Sequence, residues 1–276
     1  MNTNHHRLSL PLALTMGEPA GIGGEIALKA WLRRDEGVPP FYVIDDPLRL
    51  GELAAVFGWP VPVQGIADPS EALYAFATAL PVLSVGGAPM AEPGHPHIAD
   101  PRLIIGAIDM AVEDVLTGRA AAMVTNPINK DALYEAGFGY PGHTEYLAEL
   151  AGTEEDPVMM LACPELRVVP VTIHMPLKKA IEALSAEAIV HAGEVTYAAL
   201  KRDFGIAAPV IAVAGLNPHA GENGALGRED LDIVAPAVAE LRTRGIVARG
   251  PLPPDTMFHA EARAGYDAAL CMYHDQ

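Results

Sequence analysis

The chain has 276 residues, half of them apolar, and 35 acidic against 18 basic side chains give it a formal net charge of −17. That is enough apolar material for one large domain or two modest lobes. A field of that sign repels phosphate backbones and anionic lipid, so nucleic acid and membrane surfaces are poor partners and any anionic ligand needs local donors.

Met1 to Arg7 lacks the basic-then-apolar layout of a signal peptide, and no apolar run approaches the ~20 residues of a membrane span, so a cytoplasmic protein is expected. The first predicted strand is Leu8–Met16. Behind it, Met16-Gly17-Glu18-Pro19-Ala20-Gly21-Ile22-Gly23-Gly24-Glu25 opens a helix predicted over Glu25–Arg34. Glycines there let backbone approach a ligand, and a helix N-terminus favours an anion. The loop does not match G-x-G-x-x-G, so it is either an anion loop or a tight turn. Strands are predicted over Phe41–Ile44 and Pro81–Val85, then a breaker-rich excursion to Pro101 and a helix over Ile104–Leu116. The strand Ala120–Thr125 leads into Thr125-Asn126-Pro127-Ile128-Asn129-Lys130, a grip for an anion or carbonyl unless Asn126 is a plain cap. Tyr140-Pro141-Gly142-His143-Thr144-Glu145 enters another helix, where His143 and Thr144 could hold a phosphate with free N–H groups, or Thr144 simply caps.

Strands over Val158–Cys163, Arg167–Ile173, Val210–Ala214, Val247–Gly250 and Ala268–Tyr273 follow, with helices over Ala186–Asp203 and Arg228–Arg244. Gly118, Gly205 and Gly245 sit where left-handed helix caps belong. This alternation implies an α/β fold with a mostly parallel sheet and helices on its faces. Cys163 and Cys271 form no CxxC pair, and each lies in an apolar run, which predicts small buried side chains in a reducing compartment.

Three histidines share one placement. His174 ends the strand Arg167–Ile173, His219 follows Val210–Ala214, and His274 follows Ala268–Tyr273. Neighbouring parallel strands present their carboxyl ends to one crevice, so the imidazoles could converge on a catalytic metal. A surface or hydrogen-bonded role is the alternative for each. Asp255, in Pro253-Pro254-Asp255-Thr256, could add a carboxylate, serve as acid or base, or cap a helix. His5, His6, His95, His97, His191 and His259 lack that placement, and His191 is predicted on a solvated helix face.

Taken in order, six motifs closely resemble the 4-hydroxythreonine-4-phosphate dehydrogenase family, from about the first strand to the last residue. They are Gly17-Glu18-Pro19-Ala20-Gly21-Ile22-Gly23, Gly142-His143-Thr144-Glu145, Thr172-Ile173-His174-Met175-Pro176-Leu177, Gly215-Leu216-Asn217-Pro218-His219-Ala220-Gly221-Glu222, Gly250-Pro251-Leu252-Pro253-Pro254-Asp255-Thr256 and Met272-Tyr273-His274-Asp275-Gln276. The resemblance implies two α/β/α lobes with mostly parallel sheets and the active site in the cleft between them, as in the isocitrate and isopropylmalate dehydrogenases. Residues 1–126 with 268–276 would form the first lobe, and 127–267 the second, which carries much of the substrate and metal site. It also implies a homodimer in which both chains contribute to each site. The implied reaction oxidises 4-phosphooxy-L-threonine with NAD, or NADP, and then releases carbon dioxide to leave 3-amino-2-oxopropyl phosphate.

His174, His219 and His274 map onto the family's metal ligands, for one divalent ion: zinc, magnesium or cobalt. His143 and Thr144 map onto its substrate-binding pair. Asp255 maps onto the Asp of its P-x-D-T motif and is, with His143, a catalytic candidate. No residue is assigned to the nicotinamide cofactor. Histidine ligands favour zinc, cobalt or nickel, whereas a site completed by Asp255 and substrate oxygens suits a harder ion. Family members continue past Gln276 with further strands and substrate-binding lysine, asparagine and arginine residues that cannot be mapped here. Gly24 also stands where the family often has proline. The alternatives are a paralogue acting on a threonate or erythronate 4-phosphate, and a metal-binding chain without turnover.

Overall fold

In the computed structural model, residues 10–140, 142–153 and 156–276 are described. The segment Met1 to Arg7 with His5 and His6, the first two residues of the predicted strand Leu8–Met16, and Pro141 lie outside them. The chain divides into two compact α/β units, Met1–Asp156 and Pro157–Gln276.

The first unit is built on β1 (Leu12–Thr15), α1 (Gly23–Leu32), β2 (Phe41–Asp45), α2 (Pro47–Val56), β3 (Val63–Ile66), β4 (Leu80–Ser84), α3 (Pro101–Leu116), β5 (Met123–Val124), α4 (Lys130–Glu135) and α5 (His143–Ala151). Its sheet runs β3-β4-β2-β1-β5, every pairing parallel. All five residues of β2 are buried, as a strand covered on both faces must be. On one face Leu28, Trp31 and Leu50 pack against Val43 and Val82, and Trp31 donates its indole N–H to Phe76 O at 2.9 Å. On the other, Ala107 and Ala111 of α3 meet Ala13, Tyr42 and Ile44. α2 begins where Asp46 accepts from Leu48 N–H, with proline at the first helical position.

The second unit comprises β6 (Leu161–Cys163), β7 (Leu166–Thr172), α6 (Leu177–Ala183), α7 (Ala186–Arg202), β8 (Val210–Ala214), α8 (Ala235–Thr243), β9 (Val247–Leu252) and β10 (Ala268–Tyr273). A π-helical turn, Asp230–Val234, leads into α8. The sheet order is β6-β7-β10-β8-β9, parallel except for β6, which runs antiparallel to β7 at the edge. Ile189, Val190 and Leu200 of α7, with Val238 and Leu241 of α8, cover Val169, Ile211 and Leu270.

Two expectations differ from this arrangement. The lobe boundary falls after Asp156 rather than at 126/127, and residues 268–276 belong with the second unit, because β10 pairs with both β7 and β8 at the centre of that sheet. Cys271 is buried in β10, which pushes its thiol up to about 12, but Cys163 is exposed because it ends an edge strand. No helix among the described residues is long and apolar enough to cross a membrane.

Candidate active site

In the first unit, β2 and β5 flank β1 on opposite sides, so the chain reverses direction at the β1/β5 pair, where open α/β sheets hold their ligands. The loops after both strands meet there. Glu18 N–H donates to Pro127 O at 2.8 Å and Asn126 Nδ2 to Thr15 O at 2.9 Å. Gly17 has φ +69°, and a Cβ on it would lie 2.6 Å from both Asn126 Cβ and Pro127 O. Gly17 is therefore accounted for by loop-on-loop contact. Asn126 is buried in that contact and caps nothing; the cap of α4 is Asn129, whose Oδ1 accepts from Asp131 and Ala132 N–H.

His143 is the first residue of α5, behind Gly142, and neither it nor Thr144 caps the helix through its side chain. Its Nε2 is buried without a hydrogen-bond partner. Burial first, and the nearby Lys130 ammonium second, lower its pKa below the ordinary imidazole value, which favours the neutral ring. Lys130 Nζ lies 3.4 Å from where a Gly142 Cβ would stand, so its charge is held at the first turn of α5. Free helix N–H groups, an ammonium and an unpartnered imidazole together suit an anion such as a phosphate monoester.

In the second unit, β7, β10 and β8 are adjacent and parallel, and His174, His274 and His219 follow them in turn. All three are exposed at the carboxyl edge of the sheet. The His174 and His274 ring centres are 6.0 Å apart. Two imidazoles bonded to one ion at about 2.1 Å have ring centres roughly 5–6 Å apart, so this pair fits a shared metal. His274 Nδ1 lies 3.3 Å from Asp275 Oδ1, which leaves Nε2 for a ligand. His219 lines a cavity of about 270 Å³ with Asn217, Asp255, Tyr273 and Gln276. Among the described residues, no three His, Cys, Asp or Glu side chains stand as a closed metal-binding group. The donor set and its two-member core therefore fit a divalent ion, with His219 in the cavity beside them.

The backbone at two of these histidines is strained. His174 has φ 48° and His219 φ 53°, both in the left-handed region. His219 opens a run, His219 to Asn223, in which every residue is left-handed. At about 1–2 kcal/mol for each non-glycine residue, the run stores several kcal/mol, a sign of a site held by its surroundings. Asp255 lies exposed on that same cavity, in the short helical turn Pro254–Met257, and does not cap it. Elsewhere, His97 Nδ1 accepts from Ala99 N–H, His259 Nδ1 caps a helical turn at Ala262 N–H, and His191 is half-buried rather than on a solvated face.

The sequence model described as pyridoxal phosphate biosynthetic protein PdxA matches residues 38–276. A protein named 4-hydroxythreonine-4-phosphate dehydrogenase from Bradyrhizobium diazoefficiens is 51% identical over 278 residues, spanning 96% of this chain and 80% of its own. Its namesake from Caulobacter vibrioides is 51% identical over 276 residues, spanning 97% of this chain and 81% of its own. A crystal structure of 4-hydroxythreonine-4-phosphate dehydrogenase from Klebsiella pneumoniae is 38% identical and superposes with a TM-score of 0.89, over 96% of this chain and 82% of that one.

Proposed function

Because the chain belongs to the PdxA family of pyridoxal phosphate biosynthetic proteins, whose relatives are named 4-hydroxythreonine-4-phosphate dehydrogenases, we propose that it oxidises and decarboxylates 4-phosphooxy-L-threonine to 3-amino-2-oxopropyl phosphate. In this proposal NAD, or NADP, is the oxidant, a divalent ion assists, and the protein is a homodimer whose two chains both contribute to each site.

The observation that carries the reading is the trio of histidines after three adjacent parallel strands, two of them already at metal-sharing separation. His174, His219 and His274 would hold the ion through neutral imidazole nitrogens, and zinc or cobalt suits that donor set better than magnesium. When bound, the ion supplies Lewis-acid polarisation and the nicotinamide accepts the hydride. The protein's own groups do the rest. His143 Nε2, uncharged and unpartnered, meets a phosphate oxygen alongside Thr144, and Lys130 offsets its charge. In a chain of net charge −17, such a local grip is what lets a dianion bind. Asp255, on the His219 cavity, takes the substrate hydroxyl proton as general base.

The test is NADH formation from 4-phosphooxy-L-threonine with NAD and added divalent ion, beside His219→Ala. Turnover in the wild type, lost in the variant, is expected. Turnover only with threonate or erythronate 4-phosphate would assign the paralogous substrate. Metal binding without turnover on any of them would overturn the dehydrogenase reading.

A further inference from the structure

The left-handed turn carrying His219 needs something to hold it, and one buried carboxylate grips the segment just before it. Asp230, the first residue of the π-helical turn, is 1% exposed. Its Oδ1 accepts from Leu216 N–H at 2.7 Å. Its Oδ2 accepts from Asn217 N–H and from Asn217 Nδ2, each at 3.0 Å. Glu229 Oε2 takes a further hydrogen bond from Asn217 Nδ2 at 2.8 Å. The two residues before Pro218 and His219 are thus fixed at backbone and side chain together.

The surrounding glycines report how close this clasp is. A Cβ on Gly215 would stand 2.8 Å from Asp230 Oδ1 and 2.9 Å from Ala220 Cβ, so no larger residue lets the carboxylate reach the loop. Gln276 also bridges the two histidine-bearing segments: its Nε2 donates to Gly215 O and its Oε1 accepts from Met272 N–H, each at 2.6 Å.

We propose that Asp230 is a positioning residue, which clasps Leu216 and Asn217, maintains the left-handed backbone at His219, and so aims that imidazole into the cavity it shares with Asp255 and Tyr273. This rests on the reading of His219 as a metal ligand. Asp230 touches neither ion nor substrate; it acts through the loop. Its replacement by asparagine keeps the shape but sets an amide N–H against donors that need an acceptor.

The experiment is a cobalt(II) titration of the full chain, read by visible absorption and checked by zinc competition, with no substrate present. Wild type, His219→Ala, Asp230→Asn and Asn217→Ala are compared, each with a thermal melt of the metal-free protein. Groups that orient ligands from behind typically change metal affinity 10- to 100-fold. Asp230→Asn is therefore expected to weaken binding about 10-fold or more, and Asn217→Ala, which removes one donor of three, by less but in the same direction. Both should remain folded at the titration temperature, which separates lost aim from lost structure. If Asp230→Asn does not fold, Asn217→Ala decides. Loss of affinity in His219→Ala with wild-type affinity in the folded clasp variants would overturn the positioning inference alone. Wild-type affinity in His219→Ala would overturn the metal reading, and this inference with it.

Discussion

Asp45 ends β2 with its side chain fully buried, accepting from Arg49 Nη1 and from Asp46 N–H, each at 2.7 Å. Burial outweighs both partners and pushes its pKa up from 3.8 to about 6. A carboxyl whose folded pKa lies above its unfolded value binds protons more tightly when folded. Its contribution is therefore fully present below pH 3.8 and is lost as pH rises through about 6. At 1.36 kcal/mol per pKa unit, most of that loss, about 2 kcal/mol, falls between about pH 4 and about pH 7. Asp45→Asn keeps the volume and removes the titration. The unfolding free energy of the variant minus that of the wild type should accordingly rise by about 2 kcal/mol across that window. Urea denaturation followed by tryptophan fluorescence measures it locally, because the two tryptophans, Trp31 and Trp59, both lie in the unit that contains Asp45. A flat difference, or one that falls with pH, would show that the Arg49 pair and not burial governs this carboxyl.

Other outcomes follow from the same geometry. His143→Ala should lower kcat/KM for a phosphorylated substrate roughly 10- to 100-fold, the worth of a hydrogen bond to a charged group, mostly through KM. Lys130→Met should raise the His143 pKa back towards 6.5, visible as an upward-shifted imidazole titration by NMR. Because the His143 pKa is depressed, its contribution to stability is present above pH 6.5 and is lost as pH falls through the lowered value. Gly193→Ala should cost about 1–3 kcal/mol of stability by overpacking, since its new methyl would stand 2.7 Å from Leu241 Cδ2 between α7 and α8. Tyr42→Phe should cost about 1–3 kcal/mol, because it strips a hydroxyl donor from the buried Asp114 while Arg119 stays. Chemical denaturation reads both.

The strands that carry the histidines were legible because β7, β8 and β10 are apolar runs cut off by a polar residue, and burial in a parallel sheet demands that pattern. β3 was not, since Gln64 and Gly65 are exposed at the sheet edge and leave no apolar run. α2 carried a readable start in Asp46-Pro47, but its apolar stripe is weak, with only Leu50 and Ala54 buried. The lobe division was misplaced because chain order cannot say which sheet a final strand enters; β10 inserts between β7 and β8. The left-handed run at His219 had little local signal: histidine and asparagine visit that conformation more readily than other residues, but Ala220 and Glu222 avoid it without support. Its support, Asp230, lies eleven residues further along the chain and becomes visible only through its hydrogen bonds.

In the proposed site, His174, His219 and His274 hold one divalent ion. Anomalous diffraction from crystals grown with cobalt(II), measured at the cobalt absorption edge, locates that ion. A single strong peak is expected within about 2.1 Å of a nitrogen of each of the three imidazoles. No peak there, or an ion held elsewhere with His219 still apart from the His174–His274 pair, would contradict it.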